Sequence, residues 1–177
     1  MANGGMVAAT GSTGPDSPCP VARAAGVLGD RWTLLILRNA NLGTTRFDDF
    51  RSELGIADNV LSARLARLVE AGLLTRLPYR TTGRTRHEYR LTTAGADMLP
   101  VLHALAGWGE QHTRPGNAAE PMQIIHQACG QSLAPGGYCP RCGRSPARGE
   151  IAWVRPWRGP EPSPLAEPVA GPAGPGR

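Results

Sequence analysis

The stretch from Asp58 to Leu91 constrains this chain more than any other. Read at about 100° per residue, Leu61, Leu65, Leu68 and Val69 share one helical face. Asn59, Ala63, Ala66, Arg67 and Glu70 lie opposite, with Ser62 and Arg64 on the flanks. The outer face is narrow, small and polar near its N-terminus, a shape that enters the major groove of duplex DNA without steric obstruction. Gly72 stops the helix, and the period then changes. Leu73 to Leu77, extending toward Tyr79, and His87 to Leu91 read as two strands joined by the turn-rich loop 81–86. A helix with one apolar face, followed by a hairpin with a basic, glycine-containing loop, is the sequence form of a winged helix.

The flanking segments agree with that reading. Residues 20–28 form a short amphipathic helix opened by Pro20, whose missing N–H would be unpaired there in any case. Asp30 precedes a second apolar helix, Trp32 to Arg38, and residues 39–43 read as a turn. Thr44 or Thr45 is expected to cap a third helix that buries Phe47, Phe50 and Leu54. Its first turn carries Asp48 and Asp49, where the helix dipole favours acids. Gly55 ends it, and Asp58 is expected as the next cap. After the hairpin, Thr92 and Thr93 are expected to cap a long helix from about Ala94 to His112, with Pro100 inside it and forcing a kink. That helix is too apolar to stand alone, and a partner subunit is its expected cover.

Charge narrows the partner. All 19 basic residues are arginine, set against 14 acids, for a net charge of +5. The excess is local: between Asp58 and Arg90 there are seven Arg and three acids. This points to a polyanion. No basic segment followed by an apolar stretch marks export, and the longest strongly apolar run, Leu34 to Leu37, is too short to cross a bilayer. A cytoplasmic protein without a membrane partner is expected. In that reducing compartment Cys19, Cys129, Cys139 and Cys142 read as metal ligands or reactive thiols rather than as disulfides. Gly and Pro gather toward the ends, so residues 1–18 and 156–177 are expected as disordered tails. Between them a DNA-binding and dimerisation domain is expected at 19–114 and a small module at 122–155.

Several segments together resemble the HxlR family of winged helix regulators, a branch of bacterial MarR-like proteins. They are Cys19-Pro20-Val21, the run Leu28 to Leu37 (LGDRWTLLIL), Phe47-Asp48-Asp49-Phe50, Leu61 to Leu68 and Tyr89 to Gly95. The resemblance covers residues 19–112. It implies a homodimer built from the first and last helices, with two winged helices facing successive major grooves. It also implies that Cys19 is placed where some members sense oxidants or electrophiles. The sixty or so residues after the long helix are a departure from many members, and their role is not inherited.

The candidate sites follow from residue chemistry. Asn59, Ser62, Ala63 and Arg67 are expected at base edges, and Arg64 at a phosphate or a base, since Arg pairs bidentately with guanine and Asn with adenine. Arg84 and Arg86 flank the wing tip, suited to phosphates or a narrow minor groove. Thr44, Thr45 and Arg46 sit at a helix N-terminus that favours phosphate. Cys19 precedes a helix and has Arg23 one turn along, both of which favour thiolate; a buried interface residue is the alternative. His126-x2-Cys129 and Cys139-x2-Cys142, each pair followed by Gly, have the spacing of a closed, structural Cys3His zinc site resembling zinc ribbons. The alternative is an incidental His126 with free thiols.

The expected fold is therefore mainly α with a small β-hairpin wing, a zinc-ribbon-like module and disordered tails. The expected function is a sequence-specific DNA-binding regulator, acting on a pseudo-palindromic operator as a repressor and answering a small-molecule, oxidant or electrophile effector. A protein-binding winged helix is the first rival. A zinc-dependent enzyme is the second, and it lacks an open coordination position and a nearby base.

Overall fold

The computed structural model describes residues 16–81, 84–113, 116 and 120–170, without the side chains of Thr81 and Arg84. Of the tails expected at 1–18 and 156–177, residues 1–15 and 171–177 lie outside the described residues. Six helices and five strands follow in order: α1 Pro20–Leu28, α2 Arg31–Asn41, α3 Phe47–Leu54, α4 Asp58–Glu70, β1 Leu74–Thr81, β2 Arg84–Leu91, α5 Thr93–Ala96, α6 Leu99–His112, β3 Gln123–His126, β4 Ile151–Val154 and β5 Ser163–Pro164. None of the described helices is long and apolar enough to cross a membrane.

The first core has the composition that the helical periodicity implied. Leu61, Leu65 and Leu68 of α4 are buried with Ile36, Leu37 and Phe50, and Leu74 and Leu91 close the cluster from the base of the hairpin. β1 and β2 pair antiparallel from Leu74↔Leu91 to Thr81↔Arg84, so the wing is a regular two-stranded ribbon. Asp30 caps α2, accepting from the amides of Trp32 and Thr33 at 3.0 and 3.1 Å.

Other helix starts differ from expectation. Arg46 rather than Thr44 or Thr45 occupies the N-cap of α3, and Ala57 rather than Asp58 that of α4, both without a side-chain cap. Thr44 is engaged through its hydroxyl and Thr45 through its backbone carbonyl. The Thr44 hydroxyl donates to Glu53 at 3.4 Å, and the Thr45 carbonyl accepts from the amide of Tyr89 at 2.8 Å. The expected long kinked helix is instead two helices, α5 and α6. Pro100 falls in the first turn of α6, where no N–H is needed, so it starts a helix rather than bending one. In α5, a Cβ on Gly95 would overlap the Leu73 carbonyl oxygen, so only glycine lets this turn lie against the end of α4 and β1.

A second unit packs on α6. β3, β4 and β5 form an antiparallel sheet in that order, and Ile151, Trp153 and Leu165 bury against Leu99 and Leu102. Residues 156–170, expected as the start of a disordered tail, are in fact laid down as a strap. Leu165 is buried, the Ala166 amide donates to the Asn41 carbonyl at 2.8 Å, and the Val169 amide donates to the Leu91 carbonyl at 2.9 Å. Its contacts are mostly hydrogen bonds to distant groups around the single buried Leu165, which leaves no periodic signal in its composition.

Trp153 anchors this unit. Its indole N–H donates to His103 Nε2 at 3.0 Å. Burial, reinforced by the Arg148 cation, pushes the His103 pKa down to about 4. The folded protein thus binds fewer protons at His103 than the unfolded chain between about pH 6.5 and 4, so stability falls as pH falls through that window. Urea denaturation at stepped pH is expected to show this slope in the wild type and a shallower one in His103→Gln. An equal slope in both would exclude His103 as its source.

Candidate nucleic-acid interface and metal centre

Burial of the leucine stripe turns the other face of α4 to solvent. Asn59, Ser62, Ala63, Ala66 and Arg67 are all exposed, and among the described residues no carboxylate pairs with Arg67. The Asn59 side-chain oxygen Oδ1 accepts from the Val60 amide at 2.9 Å, which leaves the side-chain NH2 group without that bond. Arg64 is placed differently. Its Nε lies 3.1 Å from the Asp30 carboxylate and the side chain is partly buried, tying α4 to the start of α2. Burial works to raise the Asp30 pKa, but the Thr33 hydroxyl and amide and Arg64 outweigh it and hold the carboxyl below its ordinary value.

The wing stands beside α3. The backbone of Arg46 pairs antiparallel with that of Glu88 in β2, and the Arg46 guanidinium lies 5.3 Å from the Tyr79 ring centroid. Arg46 therefore stays exposed in a groove of about 320 Å³ that also takes in Arg76, Arg86 and His87. Arg86 reaches Asp48 at 3.1 Å, a cross-link between wing and α3 that sequence spacing did not reveal. Thr44 is buried with its hydroxyl on Glu53 and leaves the expected phosphate clamp, whereas Thr45 is half-buried at its edge. Arg84 enters β2 opposite Thr81; its side chain and residues 82–83 at the wing tip lie outside the described residues.

Cys19 is exposed at the N-cap of α1. Arg23 does not attend it as expected: its guanidinium donates to the carbonyls of Ser17 and Pro18 at 2.6 and 3.0 Å. Cys19 lies outside the thiol cluster of the second unit.

That cluster gathers all four residues of the Cys/His spacing. The ligand atoms of His126, Cys129, Cys139 and Cys142 lie within 4.8 Å of one another, and the thiols are free. Cys129 Sγ is 3.4 Å from His126 Nδ1 and 3.6 Å from Cys139 Sγ. His126 ends β3, and Gly130 and Gly143, at φ 68° each, close the turns that bring the thiols together. Burial would push the Cys139 thiol up, but the Cys142 amide and the His126 and Cys129 side chains outweigh it and bring it down to about 6. Cys142, hydrogen-bonded to Cys129, is pushed up to about 11. The group can hold a metal ion.

Two residues that no motif flagged stand behind it. His126 is almost fully buried, and its Nε2 has no hydrogen-bond partner among the described residues. Glu150 Oε1 faces that nitrogen across 3.7 Å. Arg144, with Nη1 2.7 Å from Glu150, and the Ala147 amide hold the Glu150 carboxyl down to about 2. Glu150 follows Cys142 by eight residues in a 3-10 turn, and that spacing carries no recognisable signature.

Comparison with known proteins places these features. The HxlR-like helix-turn-helix family profile matches residues 27–117. An uncharacterized HTH-type transcriptional regulator of Mycobacterium tuberculosis is 43% identical over 123 residues, covering 70% of this chain and 77% of the relative. That alignment is longer than the segment matched by the family profile. YtfH of Escherichia coli, an uncharacterized HTH-type transcriptional regulator, is 33% identical over 52% of this chain and 73% of its own. Among solved structures, PA1607, described as a transcription factor, superposes with a TM-score of 0.63 at 35% identity, covering 75% of this chain and 92% of its own. The redox regulator HypR in its reduced form gives a TM-score of 0.50 at 27% identity, covering 54% and 94%. The chain belongs to the HxlR-like helix-turn-helix family and is a transcriptional regulator with a helix-turn-helix DNA-binding fold.

Proposed function

We propose that the protein represses transcription by occupying a pseudo-palindromic operator as a homodimer in the cytoplasm. The carrying observation is the outward face of α4, where small and polar residues and Arg67, paired with no carboxylate among the described residues, stand beside the arginine-bearing wing. Asn59, Ser62, Ala63 and Arg67 read base edges, while Arg46, Thr45, Arg84 and Arg86 take phosphates. Arg64 serves mainly to set the angle of α4 through Asp30. Two such heads about 34 Å apart would meet successive major grooves.

The dimer reading rests on unpartnered apolar surface. α1 buries none of its residues, and Val21 is 73% exposed. On α6, Val101, Leu105 and Trp108 line one stripe, with Trp108 59% exposed. A patch of this kind marks an interface, and two copies would cover it in the manner the family resemblance implies. The protein-binding alternative has no feature of its own here, since the same face is basic. Arg67→Ala combined with Arg46→Ala is expected to weaken binding to the duplex upstream of its own gene by at least tenfold and to flatten its salt dependence. Fluorescence anisotropy across a salt series checks this. Unchanged affinity, or a monomer in analytical ultracentrifugation, would sink the reading.

The thiol–imidazole cluster is read as structural zinc. Bonds of about 2.3 Å to sulfur and 2.0 Å to nitrogen give tetrahedral edges of roughly 3.8 Å between sulfurs and 3.5 Å between nitrogen and sulfur. The observed 3.6 and 3.4 Å are close to these. A carboxylate behind the second imidazole nitrogen is the usual support for a ligating histidine. Four protein ligands leave no position for a catalytic water, against the enzyme reading. Purified protein is expected to carry about one zinc per chain, and Cys142→Ser to lose most of it, as read by elemental analysis.

The effector reading turns on Cys19, exposed ahead of a helix none of whose residues is fully buried, in a chain similar to a redox regulator. Hydrogen peroxide, reduced to water as Cys19 becomes sulfenic acid, is expected to weaken DNA binding by the wild type. Cys19→Ser should not respond. An undiminished response in that variant would move sensing elsewhere.

A further inference from the structure

The 3-10 turn Arg148–Glu150 has one end in the metal cluster and the other in the winged helix. On the cluster side, Glu150 faces His126 Nε2 across 3.7 Å. Gln127, between the ligands His126 and Cys129, donates its amide to the Glu150 carbonyl at 2.8 Å. Its side chain donates to the Gly149 carbonyl at 3.0 Å and the Ile151 carbonyl at 3.2 Å. On the other side, all three nitrogens of the Arg148 guanidinium are engaged. Nη2 donates to Asn41 Oδ1 at 2.7 Å, Nε to the Ala166 carbonyl at 2.9 Å and Nη1 to the Ala96 carbonyl at 3.4 Å. Asn41 is the last residue of α2 and fully buried, and Ala96 ends α5 directly after the wing.

We infer that metal occupancy of the Cys3His cluster sets the affinity of the winged helix for DNA, transmitted through Glu150, Gln127 and Arg148. The inference rests on the zinc reading above and adds regulation to it. An ion on Nδ1 fixes the His126 ring and its Nε2–H against Glu150, and Gln127 with the turn behind it. Arg148 can then hold α2, α5 and the 165–169 strap in one arrangement. Removal of the ion frees the knuckle, the turn loses its contacts with His126 and Gln127, and the guanidinium is no longer aimed at three acceptors at once. The winged-helix core of Ile36, Leu61 and Leu65 contains none of these groups, so it stays folded while its base loosens. The device acts through differential stabilisation of two arrangements, so it is reciprocal: whatever factor zinc adds to DNA affinity, DNA must add to zinc affinity.

The test uses the full chain and a labelled duplex from the region upstream of its own gene. DNA affinity is measured zinc-loaded and after stripping with a chelator, with helicity followed by circular dichroism. Wild type is expected to bind roughly tenfold more weakly when stripped, within the usual range of such couplings, with its helicity kept. Arg148→Met is expected to retain zinc stoichiometry while the loaded-to-stripped ratio falls toward one. Arg148→Lys should fall between the two. Zinc affinity of the wild type, measured with and without saturating duplex, should change by the same factor, a check that needs no variant. Protein that holds no zinc would overturn the metal reading and this coupling with it. Zinc held at full stoichiometry with equal DNA affinity in both states, or an Arg148→Met variant that keeps the full ratio, would overturn the coupling alone.

Discussion

Leu61, Leu65 and Leu68 lie without appreciable exposure against Ile36, Leu37 and Phe50. This contact fixes the rotation of α4 about its own axis, and every outward feature inherits that choice. A helix turned by one residue would move its polar face by about 100° and bury part of it. Removing a leucine from such a cluster typically costs about 2–5 kcal/mol, a large share of the stability of a small domain. The face that meets solvent is therefore specified by apolar packing, although the residues on it are polar. Asp30 adds a second restraint by holding both the α2 N-terminus and Arg64.

The arginines divide into two kinds. Arg64, Arg86 and Arg90 each have a carboxylate within 3.1 Å, and the exposed Arg86–Asp48 pair is of a kind that adds little to stability. They also fix geometry: Arg86 to Asp48 joins wing to α3. Arg46 lies over Tyr79, and Arg67 stands free of carboxylates among the described residues. These two carry positive charge that the protein itself does not neutralise, which is what a polyanion requires.

The appended unit is small for a fold with its own core. It relies on three devices besides packing: the Trp153–His103 bond to α6, the strap across α2 and β2, and the thiol–imidazole cluster. Units of this size usually need a covalent or metal cross-link. The thiol–imidazole cluster, able to hold a metal ion, is joined to the Arg148 contacts by the turn Arg148–Glu150.

The α4 pattern, the wing strands, Pro20 opening α1, Gly55 and Gly72 as helix stops, and the Cys/His spacing were all legible in the linear chain. Each is a local consequence of periodicity or backbone conformation, which neighbouring residues determine. The α3 cap and the strap were misread because they depend on distant partners: the Glu53 carboxylate for Thr44, the Tyr89 amide for Thr45, and the Asn41 and Leu91 carbonyls for the strap. Likewise, Arg64 reads as a nucleic-acid contact until Asp30, thirty-four residues earlier, comes within 3.1 Å. Glu150 has no role at all until folding sets it behind His126. Sequence alone determined which residue types and faces were available; the tertiary structure decided which charges neutralise each other, because pairing depends on distance in space rather than along the chain.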